Sequence, residues 1–274
     1  SYNSYLIDDE MVALVDTVDI CYFEVYLRKI KQVIGERPIN YLIINHMEPD
    51  HSGSIRLIKQ HYPEIIIVGN KQTFGMIEGF YGVTGEQYLV KEGDFLALGH
   101  HKLRFYMTPM VHWPETMMTF DETDGVLFSG DGFGCFGTVD GGFLDTRINV
   151  DKYWGEMVRY YSNIVGKYGS PVQKALQKLG GLPISAICST HGPVWTENIA
   201  KVIGIYDRLS RYDADEGVVI AYGSMYGNTE QMAEAIAEEL SAQGVKNIVM
   251  HNVTKSHPSY IIADIFRYKG LIIG

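Results

Sequence analysis

Cysteine is scarce in this sequence: three in 274 residues, at Cys21, Cys135 and Cys188, odd in number and far apart. That excludes a disulfide framework and a CxxC metal knuckle, and it reads as free thiols in a reducing compartment. No apolar run approaches the ~20 residues that cross a bilayer. The chain does not open with a charged segment followed by an apolar one, so neither a span nor a secretion signal is expected. Basic residues are also in deficit, with 23 Lys and Arg against 33 Asp and Glu, a net charge of −10. Nucleic acid is disfavoured as a partner, because phosphate backbones are held by a surplus of Lys and Arg. No GxSxG occurs, and the strand-to-helix turn at Ser224–Thr229 carries neither GxGxxG nor GxxxxGK[ST]. This leaves the elbow of acyl-transfer hydrolases without support and disfavours a dinucleotide fingerprint or P-loop at that turn. The expectation is a cytoplasmic protein with no membrane contact.

What is present is ordinary for a globular chain: 46% hydrophobic and 20% charged residues, without low-complexity tracts. The length favours two domains. Short β-branched runs alternate with amphipathic segments over the first two thirds. Ser1–Ile7 and Met11–Asp16 read as a hairpin, and Tyr41–Asn45 and Ile65–Gly69 as strands. Helices are expected at Tyr22–Ile34, Gly53–His61 and Thr73–Phe80. A strand-rich stretch follows: Gln87–Val90, Phe95–Leu98, Lys102–Met107, Met117–Asp121 and Val126–Ser129. Then come helices at Lys152–Ile164 and Ser170–Leu179, a strand at Ile184–Ser189 and a helix at Ile199–Leu209.

Mixed sheets under outer helices make an α/β sandwich. We place its domain at residues 1–210, a linker at 211–217, and a second unit at 218–274. In that unit strands at Val218–Tyr222, Asn247–Asn252 and Leu271–Ile273 alternate with helices at Thr229–Gln243 and Ser259–Tyr268, a parallel βαβ pattern. Both ends read as those of a piece of a longer protein, since the last strand leaves a sheet unfinished. Asp213–Glu216 reads as solvated linker, the His100–His101 pair as solvent-facing, and Tyr160–Tyr161 as core or surface.

The chemistry concentrates in His46-Met47-Glu48-Pro49-Asp50-His51, immediately after an apolar strand. Four potential ligands in six residues, imidazole mixed with carboxylate, suit zinc, iron or manganese. One such cluster alone also fits a polar turn. Three more ligand-type residues follow apolar strands: His112, Asp131 in Ser129-Gly130-Asp131, and His191 in Ser189-Thr190-His191-Gly192. A sheet presents strand ends along one edge, so these four places together point to a two-metal centre. A carboxylate such as Asp131 can bridge two cations.

HxExDH, then His, Asp and His in that order, resembles the metallo-β-lactamase superfamily. Glu48 stands where most hydrolases of that superfamily carry a second histidine, and this resembles the flavodiiron branch. Tyr2-Asn3-Ser4-Tyr5-Leu6 and His112-Trp113-Pro114-Glu115 are similar to that branch as well. The resemblance implies an αββα sandwich with one iron held by His46, Glu48 and His112. It implies a second iron held by Asp50 and His191, with Asp131 bridging. His51 is a further candidate ligand, although the matching histidine does not reach the metal in some members.

The second motif is Ser224-Met225-Tyr226-Gly227-Asn228-Thr229, between a strand and a helix. Hydroxyls at both ends, a glycine and a helix N-terminus behind them make an anion cradle, while a plain capped turn is the alternative. The motif resembles flavodoxin, a doubly wound parallel sheet in which this loop holds the FMN phosphate. Only the first three strands of that fold are present, and the ring-contacting loops of flavodoxins lie beyond them.

Together the resemblances imply a flavodiiron oxidoreductase. FMN would deliver electrons to a diiron pair that reduces dioxygen to water or nitric oxide to nitrous oxide. They imply a donor such as rubredoxin, a reduced deazaflavin or an NADH-linked reductase, and a head-to-tail homodimer or tetramer. No rubredoxin-like CxxC pair occurs in the chain. The competing reading is a zinc hydrolase of the metallo-β-lactamase type. A third is an electron carrier whose first domain has lost its metals.

Overall fold

Alternation along very short strands decides where each layer lies. In the computed structural model, which describes residues 1–274, Leu42 and Ile44 pack on one side of their strand and Ile43 on the other. Successive Cβ atoms leave a strand on opposite faces, so three apolar residues in a row serve two cores. The first sheet has the order β1 (Tyr5–Ile7), β2 (Ala13–Val15), β3 (Tyr41–Ile43), β4 (Ile66–Gly69), β5 (Gln87–Leu89). Its first pair is antiparallel and the rest are parallel. Helices α1 (Phe23–Ile34), α2 (Pro49–Ser52), α3 (Ile55–His61) and α4 (Lys71–Tyr81) connect its strands. Phe23, Leu27, Ile30 and Ile34 of α1 recur at helical spacing and bury against Leu14, Leu42 and Ile67. Each such burial stabilises by roughly 1.5–3 kcal/mol.

The second sheet runs β6 (Phe95–Ala97), β7 (Lys102–Met107), β8 (Met117–Asp121), β9 (Val126–Gly130) and, parallel to β9, β10 (Ala186–Ser189). Ile43 and Val68 of the first sheet share a core with Leu103, Phe105, Met117 and Phe128 of the second. Met118, Phe120, Leu127 and Ile187 face the other way, onto α5 (Asp151–Tyr160), α6 (Gly169–Leu179) and α7 (Ile199–Ser210). The result is helix, sheet, sheet, helix, the expected αββα sandwich.

A third sheet, with the order β12-β11-β13, is wholly parallel. It contains β11 (Asp215–Tyr222), β12 (Ile248–Asn252) and β13 (Tyr268–Ile273), with α8 (Asn228–Ala242) and α9 (Pro258–Arg267) between them. This is the flavodoxin-like part. It packs on the sandwich through α9: Arg159 Nη1 donates to Ser259 Oγ at 2.9 Å, and Asn163 Nδ2 donates to the Ser259 carbonyl at 3.0 Å.

Several local expectations are corrected. Pro49 occupies the first turn of α2, where its fixed φ and missing N–H are tolerated, so Asp50 and His51 sit in a short helical turn. The helix expected to run to Ile164 ends at Tyr160 and continues as a π-helical turn, Tyr161–Val165, closed by Gly166 at φ 39°. The strand expected from Val218 begins at Asp215, within the stretch expected as linker, leaving 211–214 after α7. Asp215 is paired there with Arg208 at 2.6 Å, and Glu216 with Lys269. His101 is not solvent-facing. Its Nδ1 lies 2.9 Å from Asp121 Oδ2, and its amide donates to Asp9.

Candidate metal centre

The loops after β3, β7, β9 and β10 converge at one end of the sandwich, and local backbone geometry aims their side chains. Asp16 Oδ1 accepts from the amides of Asn45 and His46, at 2.8 and 3.3 Å, fixing the turn that leaves β3. Gly130 adopts φ 56°, a left-handed turn that costs a residue with a Cβ about 1–2 kcal/mol, and Asp131 follows it. Gly192, after His191, packs so closely on Cys135 that a Cβ would lie 2.4 Å from its sulfur.

These turns bring together all seven residues singled out as ligands. His46, Glu48, His112 and Asp131 form one group of donor atoms, and Asp50, His51 and His191 another. His112 Nε2 lies 3.1 Å from Glu48 Oε2 and 3.0 Å from Asp131 Oδ2. His46 Nε2 lies 3.5 Å from Glu48 Oε2 and 3.7 Å from Asp131 Oδ2. In the other group His51 Nε2 lies 3.1 Å from both Asp50 Oδ2 and Asp131 Oδ1, and 2.9 Å from His191 Nε2. Asp131 therefore directs one oxygen into each group. Donor atoms about 3–3.5 Å apart are what a shared cation bonded at about 2.0–2.2 Å requires.

The residues fit a metal by a second test. His46 Nε2 and Asp50 Oδ1 are buried without a hydrogen-bond partner. Burial without a partner is costly for a polar atom, and a coordinated cation removes that cost. The electrostatics agree. Burial by itself lowers the pKa of His46, but Asp131, Glu115 and Glu48 outweigh it and raise the group to about 9. Burial likewise opposes charge on His51, yet Asp131 and Asp50 lift it to about 10. The hydrogen bond from His112, with His46 close by, holds Glu48 down at about 2. Burial opposes ionisation of Asp131, and the surrounding histidines still hold its carboxyl well below the usual range. The pocket is built for positive charge.

Three residues at the centre are not candidates in the sequence reading. Glu115, known there only as part of a resembling segment, is fully buried, with Oε1 2.8 Å from His46 Nδ1 and 2.9 Å from the Met47 amide. Tyr160 packs its ring 5.5 Å from His191, and its hydroxyl is buried without a partner. Tyr2 stands 5.8 Å from the His191 ring and forms one wall of a cavity of about 640 Å³, with Tyr22, Tyr26 and Phe143. Tyr2 and Glu115 lie in segments that carry the resemblance, but the contacts that place all three at the centre are long-range.

The phosphate-loop residues lie apart from this cluster. Ser224 Oγ accepts from the Gly227 amide at 3.1 Å, and Gly227 takes φ 87°, which glycine adopts without strain. Asn228 and Thr229 open the 15-residue α8, whose first amides have no partner within the helix. Met225 and Tyr226 are 85% and 87% exposed. The backbone fits a phosphate.

A family model described as ODP family beta lactamase matches residues 1–192, and one described as Flavodoxin matches residues 220–274. The chain is 33% identical over its whole length to the anaerobic nitric oxide reductase flavorubredoxin of Vibrio vulnificus, of which it covers 56%. It is 32% identical to the Escherichia coli protein of the same name, covering 58%. The chain thus spans just over half the length of these curated relatives. Among solved structures it is similar to the rubredoxin oxygen:oxidoreductase of Desulfovibrio gigas, with TM-score 0.95 and 30% identity, covering 100% of this chain and 69% of that one. It is also similar to the flavodiiron protein of Giardia intestinalis, with TM-score 0.91 and 28% identity, over 96% and 64% of the two chains.

Proposed function

This chain belongs to the ODP family of beta-lactamase-like proteins, in its flavodiiron branch, and from that premise we propose that it is the metal-bearing part of a diiron oxidoreductase. Its reaction is the reduction of nitric oxide to nitrous oxide, of dioxygen to water, or of both. The observation that carries the reading is Asp131, one carboxylate with an oxygen facing each of two ligand groups.

His46, Glu48 and His112 would hold one iron and Asp50, His51 and His191 the other, with Asp131 shared. Iron held by these residues would supply electrons and polarise a small bound molecule. The protein's own contribution is placement. Glu48 and Asp50 have side chains 36% and 22% exposed, while His46, His51 and Asp131 are buried beneath them, so the centre is open to a small molecule on the carboxylate side. Tyr160 keeps its proton, because burial first and then the Asp131 charge push its pKa up. It is a hydroxyl donor held beside His191.

The Ser224–Thr229 loop would seat the FMN phosphate, through the Gly227 turn and the first amides of α8. The names of the relatives favour a rubredoxin-type donor over a deazaflavin or an NADH-linked reductase, and they favour redox chemistry over the zinc hydrolase. We place the protein in the cytoplasm, as a head-to-tail homodimer or tetramer. No helix is long and apolar enough to cross a membrane.

Elemental mass spectrometry on protein purified without oxygen or added metal tests the proposal. Iron at about two per chain is the expected result. Zinc at that ratio with negligible iron would overturn the reading in favour of hydrolysis.

A further inference from the structure

Counted by direct donors, the two halves of the centre are matched. Each has three residues of its own and a share of Asp131. Any difference between them must come from what stands behind the histidines, and there they differ sharply. His46 Nδ1 meets the Glu115 carboxylate at 2.8 Å, with both side chains fully buried. His191 Nδ1 meets only the backbone carbonyl of Ser1, at 2.8 Å. His51 Nδ1 is buried and has no partner.

We propose that Glu115 is a positioning residue that makes the His46 half the tighter metal position, so that the two halves fill in sequence. The inference rests on the diiron reading above. A carboxylate accepts only, so it fixes the proton on His46 Nδ1 and leaves Nε2 as a lone pair aimed at the metal. It also raises the basicity of that nitrogen. A neutral carbonyl does this less, and an empty position not at all.

Glu115 is itself locked in place. Oε1 also accepts from the Met47 amide at 2.9 Å. Its carbonyl accepts from Asn70 Nδ2 at 2.6 Å, and Asn70 caps α4. Its other oxygen, Oε2, is buried with no partner. A buried carboxylate half satisfied is expensive unless a positive charge stands close by. A dication on the far side of the His46 ring supplies one.

The test is an anaerobic titration of the metal-free full chain with ferrous iron alone, followed by calorimetry. The expected result is two resolved steps in the wild type. Glu115→Gln keeps the shape and an acceptor oxygen but removes the charge. It should weaken the first step about 10–100-fold and leave the second unmoved. Glu48→Gln should remove the first step and Asp50→Asn the second, a comparison that stands even if the Glu115 variant does not fold. Two ions bound in one indistinguishable step by the wild type would overturn the inference. So would equal weakening of both steps by Glu115→Gln, or no weakening. All three leave the diiron reading intact. Failure of the wild type to take up iron overturns that reading and this inference with it.

Discussion

His51 Nε2 and His191 Nε2 face each other at 2.9 Å, and Asp50 Oδ2 lies 3.1 Å from the first and 3.3 Å from the second. Two imidazole nitrogens at that distance need a proton or a cation between them. The acidic wall around them decides how tightly either is held.

The histidine pKa values give a pH prediction. His46 at about 9 and His51 at about 10 lie above the unfolded value near 6.5, so the metal-free fold binds more protons than the unfolded chain over that interval. Their stabilisation is complete below pH ~6.5 and is lost as pH rises through about 9 and 10. The melting temperature of metal-free protein should fall between pH 7 and 9.5, while iron-loaded protein changes less. Loading at pH 7.5 should release protons, since iron takes the neutral imidazole. A pH indicator in weak buffer reads that release, and uptake without release would contradict it.

Asp131→Asn should lower metal content in both halves at once, because each oxygen serves a different group. Removing the buried anion also leaves the surrounding histidines without their main partner. The metal-free variant should be destabilised by about 3–5 kcal/mol in urea unfolding. Loss of one ion only, with the second at wild-type affinity, would remove Asp131 as a shared ligand.

Phe105 lies fully buried in the core between the two sheets. Phe105→Ala should cost about 3–5 kcal/mol by creating a cavity. The donor atoms converge from the ends of both sheets, so iron affinity should weaken together with stability. A stable variant would show that the sandwich core can collapse around the gap.

The three thiols should react very unevenly. Burial pushes Cys135 and Cys188 up to about 12, and both side chains are enclosed. Cys21 is exposed, and its hydrogen bond with Asp19 raises its pKa. One thiol per folded chain should react with a disulfide reagent at pH 8, faster as pH rises and faster in Asp19→Asn. All three should react after unfolding. More than one fast thiol in the folded state would contradict the burial.

Local pattern carried most elements. The β7 and β8 expectations, Lys102–Met107 and Met117–Asp121, coincide with the strands found, because alternation and flanking turns mark both ends. Errors fell where a neighbour decides. Nothing in Ser210–Gly217 signals that Asp215 will pair with Tyr268, since that partner lies more than fifty residues away. His101 looked solvated because its partners, Asp121 and Asp9, come from other segments. Glu115, 69 positions from His46, falls in the same class.

By itself the sequence determined the kinds of candidate ligand, their order and their places after apolar strands. Those depend on local composition and on the period-two pattern that sends side chains to a sheet edge. Tertiary structure alone decided the pairing: which donors share a group, that Asp131 divides its oxygens between two groups, and that a buried carboxylate stands behind one histidine only. Those are distances between residues far apart in the chain, set by how the two sheets pack. Local chemistry can name such residues but cannot place them.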